Sequence, residues 1–174
     1  MNKQSNNPFK SLHAYWRMPY IKSKTHFERG TGAKEEANPF TNLRDADEEA
    51  CHILIKGTNC CLLLNRYPYN AGHLLVLPYR VISDLSHLNK SERSEFMDMI
   101  IQGETLLTKA LKPDGLNVGL NLGTAAGAGI PEHLHCHIVP RWNGDHNFMP
   151  VIANTRVLPE SINALWKELK KYCK

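Results

Sequence analysis

Between residues 133 and 140 the chain reads His133-Leu134-His135-Cys136-His137-Ile138-Val139-Pro140, with imidazoles and apolar side chains alternating as far as Ile138. Period two is the pattern of a β-strand, whose successive side chains leave on opposite faces. His133, His135 and His137 then share one face, while Leu134, Cys136 and Ile138 share the other and can anchor in a core. The fold must place this strand in a sheet with apolar packing on one side and room for three imidazoles on the other. Packing alone gives no reason for three such rings in a row, so the run reads as a site.

Partners for the strand are visible upstream. Short β-rich runs at 51–56, 60–64 and 73–78 are separated by Gly57-Thr58-Asn59 and by the turn-rich stretch 66–72, the signature of an antiparallel meander. Asn89 or Ser91 can cap a helix running to about Leu111, with Phe96, Ile100, Leu107 and Leu111 at the spacing of a buried face and Pro113-Asp114-Gly115 ending it. Residues 115–123 alternate Leu116, Val118, Leu120 and Leu122 against Asn117, Gly119 and Asn121, which predicts a strand with one face buried. A loop of small residues at 124–131 leads into the histidine strand at 133–140, and 159–172 reads as a closing helix with Pro159 in its first turn. The order β-β-β-α-β-β-α predicts an α+β domain: one antiparallel sheet of about five strands, a long crossing helix and a C-terminal helix. Its 174 residues suit one such domain. Residues 1–50 are polar and broken by Pro and Gly, and read as an N-terminal extension, mostly loop with a short helix near 9–17; residues 51–174 are expected to form the catalytic domain.

Composition narrows the ligand. A net charge of +4 and a pI near 8.8 favour an anionic partner without requiring nucleic acid, for which no binding motif is present. No apolar stretch approaches the roughly 18 to 20 residues of a membrane helix, and no apolar segment follows the Asn- and Lys-rich start, so a cytoplasmic protein is expected. The five cysteines contain no C-x-x-C pair, which suggests reduced thiols rather than a disulfide framework or a cysteine zinc site.

Histidines in a cluster can hold zinc, act as acids and bases, or attack as nucleophiles. On a strand rising roughly 3.3 Å per residue, the backbones of His133 and His137 stand about 13 Å apart, whereas zinc holds nitrogens at about 2 Å. One ion cannot easily gather all three, although a pair completed by His73 remains open. Proton transfer and nucleophilic attack fit better. If Nδ1–H of the middle ring is held by a backbone carbonyl, its Nε2 lone pair is free to attack phosphorus and a neighbouring ring can protonate the leaving group. The preceding Gly123-Thr124-Ala125-Ala126-Gly127-Ala128-Gly129 is small enough for a phosphate to approach backbone N–H groups.

Taken together, these residues resemble the histidine triad (HIT) nucleotide hydrolases and transferases, whose H-φ-H-φ-H-φ-φ signature the run from His133 to Val139 fits. Asn65-Arg66-Tyr67-Pro68-Tyr69-Asn70-Ala71-Gly72-His73 looks like the family's upstream segment. Asn121-Leu122-Gly123 and Pro140-Arg141-Trp142 are similar to the branch that includes diadenosine tetraphosphate phosphorylases. The resemblance implies that His135 becomes nucleotidylated, that His137 contacts the bridging or leaving oxygen, and that His133 and His73 orient and support it. It further implies Asn65 at the ribose, Leu64 and Arg66 beside the base, and Asn121 with Gly127, Ala128 and Gly129 at phosphate. Trp142 would stack on a second base or line the acceptor side, with a core tryptophan as the plain alternative.

Two departures from the family pattern stand out. Gly129 occupies a position where many relatives carry a polar phosphate contact, and Asn38-Pro39-Phe40-Thr41 lacks the C-x-x-C with which some relatives bind zinc. No resident cofactor or structural metal is expected; a divalent ion would arrive, if at all, with the nucleotide. The expected activity is cleavage at the α-phosphate of a (di)nucleoside polyphosphate or nucleoside phosphoramidate, adenine favoured, with water or phosphate as acceptor. A nucleotide-binding scaffold and a metal-dependent hydrolase are the rival classes. A homodimer is expected, with Met97 and Ile101 offering a surface.

Overall fold

The computed structural model describes residues 38–145 and 159–173; the helix expected near 9–17 lies outside them. Strands β1 (Ile53–Lys56), β2 (Cys60–Leu64) and β3 (Leu74–Pro78) form the expected meander, with Cys61 opposite Leu77 and Leu63 opposite Leu75. Strand β1 begins two residues later than the sequence suggests, because His52 adopts a left-handed φ of 54° at the end of a turn.

Helix α1 (Lys90–Leu111) follows, and of the two candidate caps Asn89 is the one used. Its side chain accepts from Glu92 N–H while the Glu92 carboxylate accepts from Asn89 N–H, each at 2.9 Å, so two orphan donors of the first turn are satisfied reciprocally. The buried stripe centres on Phe96, Met99, Gly103, Leu106 and Leu107, with Ile100 and Leu111 along its margin. At Gly103 the helix comes closest to the sheet: an added Cβ would lie 2.6 Å from Ile138 Cδ1 and 3.2 Å from Leu62 Cδ1.

Strands β4 (Gly115–Leu120) and β5 (Cys136–Arg141) complete a sheet of order β1-β2-β3-β5-β4, all pairs antiparallel. Crossing on α1, the chain lays β4 at the far edge and then returns to insert β5 beside β3. That order corrects the expectation for β4. Val118 is 49% exposed, because among the described residues β4 has a neighbour on one side only and α1 packs against β2, β3 and β5; Leu116 and Leu120 still pack on the helix-side core, and Leu122, 47% exposed, lies beyond the strand. Strand β5 also starts at Cys136 rather than at His133; Leu134 N–H instead donates to Ile82 O at 2.6 Å. Helix α2 (Ile162–Lys170) is capped by Ser161, whose hydroxyl accepts from Ala164 N–H, so Pro159 precedes the first turn instead of occupying it.

Each face of the sheet has its own core. Leu54, Leu62, Leu64, Leu74, Val76, Cys136 and Ile138 pack under α1 and α2, together with Leu134. Ile53, Cys61, Leu63, Leu75 and Leu77 pack on the opposite face beneath Phe40, Leu43 and Ala46. The continuous apolar run of β2 is thereby covered on both sides, as a strand without alternation requires. Burial pushes the thiols of Cys60 and Cys61 up to about 12 and that of Cys136 to about 11, and all five cysteines are free.

At the start of α1, the Arg80 side chain donates to both oxygens of the buried Glu92 carboxylate at 2.9 and 2.8 Å. Chiefly through that contact the Glu92 acid is held down to about 2, from an ordinary 4.5. A depressed acid stabilises the fold above its unfolded value and loses that contribution as pH falls through the folded one. Glu92→Ala is therefore expected to lower unfolding free energy by about 1–2 kcal/mol at pH 7. The difference from the parent protein should shrink between about pH 4.5 and 2, as followed by chemical denaturation at each pH.

Candidate active site

Pairing of β3 with β5 sets Leu75 opposite His137 and Leu74 opposite Ile138. His73, just before β3, reaches diagonally across the ladder: its Nε2 lies 2.9 Å from His137 Nδ1. His135 and His137 meet edge to face with ring centroids 5.0 Å apart, and Phe40 sits 5.5 Å from both His133 and His135. The three imidazoles of the run and His73 thus lie on the face opposite α1, while Leu134, Cys136 and Ile138 pack into the helix-side core. His73, His133 and His135 are buried, and His137 is half-buried.

Groups that can only donate or only accept fix where each ring carries its proton. The carbonyl of His133 accepts from His135 Nδ1–H at 2.7 Å, which leaves the lone pair of neutral His135 on Nε2. The carbonyl of Pro78 accepts from His133 Nε2–H at 2.7 Å, leaving the His133 lone pair on Nδ1. Tyr69 N–H donates to His73 Nδ1 at 3.0 Å, and Asn65 Nδ2 reaches the same nitrogen at 3.3 Å. His73 must then carry its proton on Nε2 and donate it to His137 Nδ1, and neutral His137 is left with Nε2–H. His135, with its lone pair on Nε2, therefore meets His137, which presents Nε2–H, with ring centroids 5.0 Å apart. Burial holds the His133 imidazolium below its ordinary range, against the Pro78 carbonyl, which favours it. Among the described residues no group of three or more His, Cys, Asp or Glu is arranged to hold a metal ion; the imidazole nitrogens engage one another and nearby carbonyls.

The other residues singled out from the sequence divide. Asn65 joins the cluster through His73, and its Oδ1 accepts from Tyr67 N–H at 2.9 Å. Asn121 follows β4, whose last residue Leu120 pairs with Cys136, so it stands at the level of His135. Leu64 does not join: it is buried in the helix-side core, on the wrong face of β2 to line this site, and Arg66 is exposed in the turn beyond it. Trp142 lies past the far end of β5, about 16 Å along the strand from His137.

In the loop before the triad, Gly123 and Gly127 hold φ of 77° and 88°, conformations that side chains resist. Gly127 N–H donates to Thr124 O and Ala128 N–H to Gly123 O, so these two amides close the loop itself, which differs from the expectation that they face a phosphate. Gly129 follows that closed turn, half-buried.

Sequence reasoning missed three contributors. Asn38 Nδ2 lies 3.2 Å from His133 Nδ1, and Phe40 packs on two of the triad rings. Tyr69 stacks on His137 at 5.4 Å and 24° and lies 4.6 Å from His73. Tyr69 was within reach of pattern reading, because it stands in the turn before His73, whereas Asn38 and Phe40 arrive only through tertiary packing.

The family model described as HIT domain matches residues 46–144. The chain is 39% identical to the AP-4-A phosphorylase of Mycobacterium tuberculosis over 145 residues, covering 83% of this chain and 74% of that one. It is 32% identical to the asymmetrical bis(5'-nucleosyl)-tetraphosphatase of Schizosaccharomyces pombe over 82 residues, 47% of this chain and 44% of that relative. Among solved structures, the C. elegans NitFhit protein is similar with a TM-score of 0.57 and 26% identity, over 71% of this chain and 27% of that one.

Because burial depresses the His133 imidazolium below the ordinary value of 6.5, the unfolded chain binds a proton there that the native chain does not. Unfolding free energy is therefore expected to decline as pH falls through about 6.5, and His133→Asn to flatten that decline. Urea denaturation midpoints between pH 5 and 8 measure the difference; parallel curves for the two proteins would sink the assignment.

Proposed function

The chain belongs to the HIT domain family, and on that premise we propose that it cleaves the α-phosphate linkage of a dinucleoside polyphosphate through a nucleotidyl intermediate on His135. The observation that carries this reading is the fixed pair of tautomers, an Nε2 lone pair on His135 beside Nε2–H on His137. In the first step His135 Nε2 forms a bond to the α-phosphorus, and the bond from phosphorus to the bridging oxygen breaks. His137 Nε2–H donates a hydrogen bond to the bridging oxygen, which departs as a phosphate anion, and the His133 carbonyl steadies the charge that grows on His135. In the second step an acceptor oxygen forms a bond to phosphorus, the bond to His135 Nε2 breaks and returns its lone pair, and the proton of an attacking water leaves to solvent. Water as acceptor gives a hydrolase; inorganic phosphate gives a phosphorylase releasing a nucleoside diphosphate.

The 39% identity to AP-4-A phosphorylase favours phosphate as acceptor and an adenine nucleotide as substrate. With Leu64 turned into the helix-side core, we place the base toward Phe40 and leave Arg66 and Asn65 at the outer rim. Asn121 and Gly129 are placed at phosphate. The catalytic domain is assigned to 51–174 extended back to Asn38, because Phe40, Leu43 and Ala46 pack on its sheet, with the residues before Asn38 as an extension. No helix of the described residues is long and apolar enough to cross a membrane, and a cytoplasmic location is proposed. A homodimer is supported by the edge of β4 that no described strand covers, with exposed Val118 on it and Leu122 just after it, and by exposed Met97 and Ile101 on α1.

Incubated with diadenosine tetraphosphate, the protein is expected to form an adenylated histidine detectable by intact mass, to release ADP in phosphate buffer, and to lose at least about 1,000-fold in kcat on His135→Ala. Full activity in His135→Ala would refute the central assignment, and binding without turnover would favour a scaffold. By light scattering the protein should run as a dimer, and Val118→Lys with Ile101→Glu should shift it to monomer at unchanged thermal midpoint.

A further inference from the structure

We propose that Asn38 is a positioning residue for the nucleophile, acting through His133 from a segment that precedes the matched region 46–144. The proposal rests on the reading of His135 as nucleophile and adds to it the device that holds His135's partner still.

The two ends of the Asn38 amide are distinguished by their surroundings. Oδ1 accepts from Phe40 N–H at 2.9 Å, so Nδ2 is the end turned to His133 Nδ1. The Asn38 carbonyl accepts from Thr41 N–H at 3.2 Å and from its hydroxyl at 2.8 Å, closing a turn around Pro39 that fixes the direction of the side chain. His133 has its lone pair on Nδ1, because its Nε2–H is given to Pro78 O. A donor therefore meets an acceptor, and a ring only 1% exposed is held from both of its nitrogens.

The peptide that follows this ring is held as well. The carbonyl of His133 accepts from His135 Nδ1–H at 2.7 Å, and the N–H of the same peptide unit, on Leu134, donates to Ile82 O at 2.6 Å. Ring and peptide belong to one residue, so a ring held at both nitrogens restrains the Cα from which the carbonyl that sets the tautomer and aim of His135 departs. Asn38 adds a second effect. An imidazolium at His133 would bring N–H against N–H, so the amide favours a neutral ring beside the nucleophile; the ionisable groups acting on His133 are His135 and Glu132. Phe40, locked to Asn38 by the same turn, packs against both rings.

The test compares Asn38→Leu, Asn38→Asp, His133→Asn and the double variant Asn38→Leu/His133→Asn in steady-state turnover of diadenosine tetraphosphate with phosphate. Asn38→Leu is expected to lower kcat about 5- to 10-fold, the scale of one neutral hydrogen bond, with KM within about 2-fold and the thermal midpoint lowered by no more than about 5 °C. On the His133→Asn background the same substitution should change kcat less than about 2-fold, because the group through which it acts is gone. With ¹⁵N-histidine labelling, His133 should be the neutral Nε2–H form at pH 7 in the parent protein and doubly protonated in Asn38→Asp.

Wild-type kcat in Asn38→Leu, a loss that multiplies undiminished on the His133→Asn background, or an unchanged His133 tautomer in Asn38→Asp would each overturn the proposal. The underlying reading fails separately: if His135→Ala is as active as the parent, the nucleophile assignment falls and this proposal with it. If His135→Ala is inactive while Asn38→Leu is not impaired, only the role of Asn38 falls.

Discussion

The antiparallel pairing of β3 with β5 is the constraint from which the rest of the site follows. It joins strands separated in sequence by a 22-residue helix and a further strand, and it alone brings His73 within 2.9 Å of His137. Insertion of β5 between β3 and β4 gives the histidine strand a partner on each side, so its backbone is held along both edges. Beneath it, the absence of a side chain at Gly103 lets α1 settle against Ile138, which turns the alternate residues, the imidazoles, to the opposite face. A sheet order with β5 at the edge would have left the strand free to shift register, and a one-residue slip would exchange its histidines for Leu134, Cys136 and Ile138.

Placing four imidazoles together raises an electrostatic problem that the hydrogen bonds resolve. Two imidazoliums about 5 Å apart repel by about 3 kcal/mol at an effective dielectric of about 20, so the cluster cannot hold many protons at once. The anchors of His133, His135 and His73 are backbone carbonyls and an N–H rather than carboxylates. A carboxylate would draw a proton and a charge onto each ring. Neutral dipoles fix the tautomer while leaving the rings uncharged, which a nucleophilic nitrogen requires. The direction of donation then runs in one sense from Tyr69 N–H through His73 to His137, and each ring's state is set by the one before it.

How much of this could be read in advance depends on the range of the signal. The alternation about His135 and the choice of Asn89 or Ser91 as cap are local signals, and the structure uses both, taking Asn89. Strand β4 shows the limit. Its alternation is as regular as that of a half-buried strand, but Leu116 and Leu120 are only partly covered and Val118 is exposed, because the extent of cover depends on sheet order, which no local pattern encodes. Leu64 shows another. The run Cys60-Cys61-Leu62-Leu63-Leu64 is apolar on both faces, so nothing in it tells which side a given residue takes, and it turned out to face the helices.

The segment before β1 carries the hardest lesson, because its composition is that of a loop and it forms only turns between residues 38 and 52. Leu43, nevertheless 3% exposed, seals the core on the histidine face, while Asn38 and Phe40 of the same segment touch the triad rings. One short stretch thus closes a core and shapes a site, so that stability and site geometry are coupled there. The physical reason is the asymmetry of the sheet: α1 and α2 cover one face from β1 to β5, and the other must be covered where it is apolar yet left approachable where the imidazoles stand. A helix laid across that face would cover both. A chain in turns, pinned by Leu43 at one end and by the Asn38 amide at the other, covers the apolar part, and His137 stays half-buried.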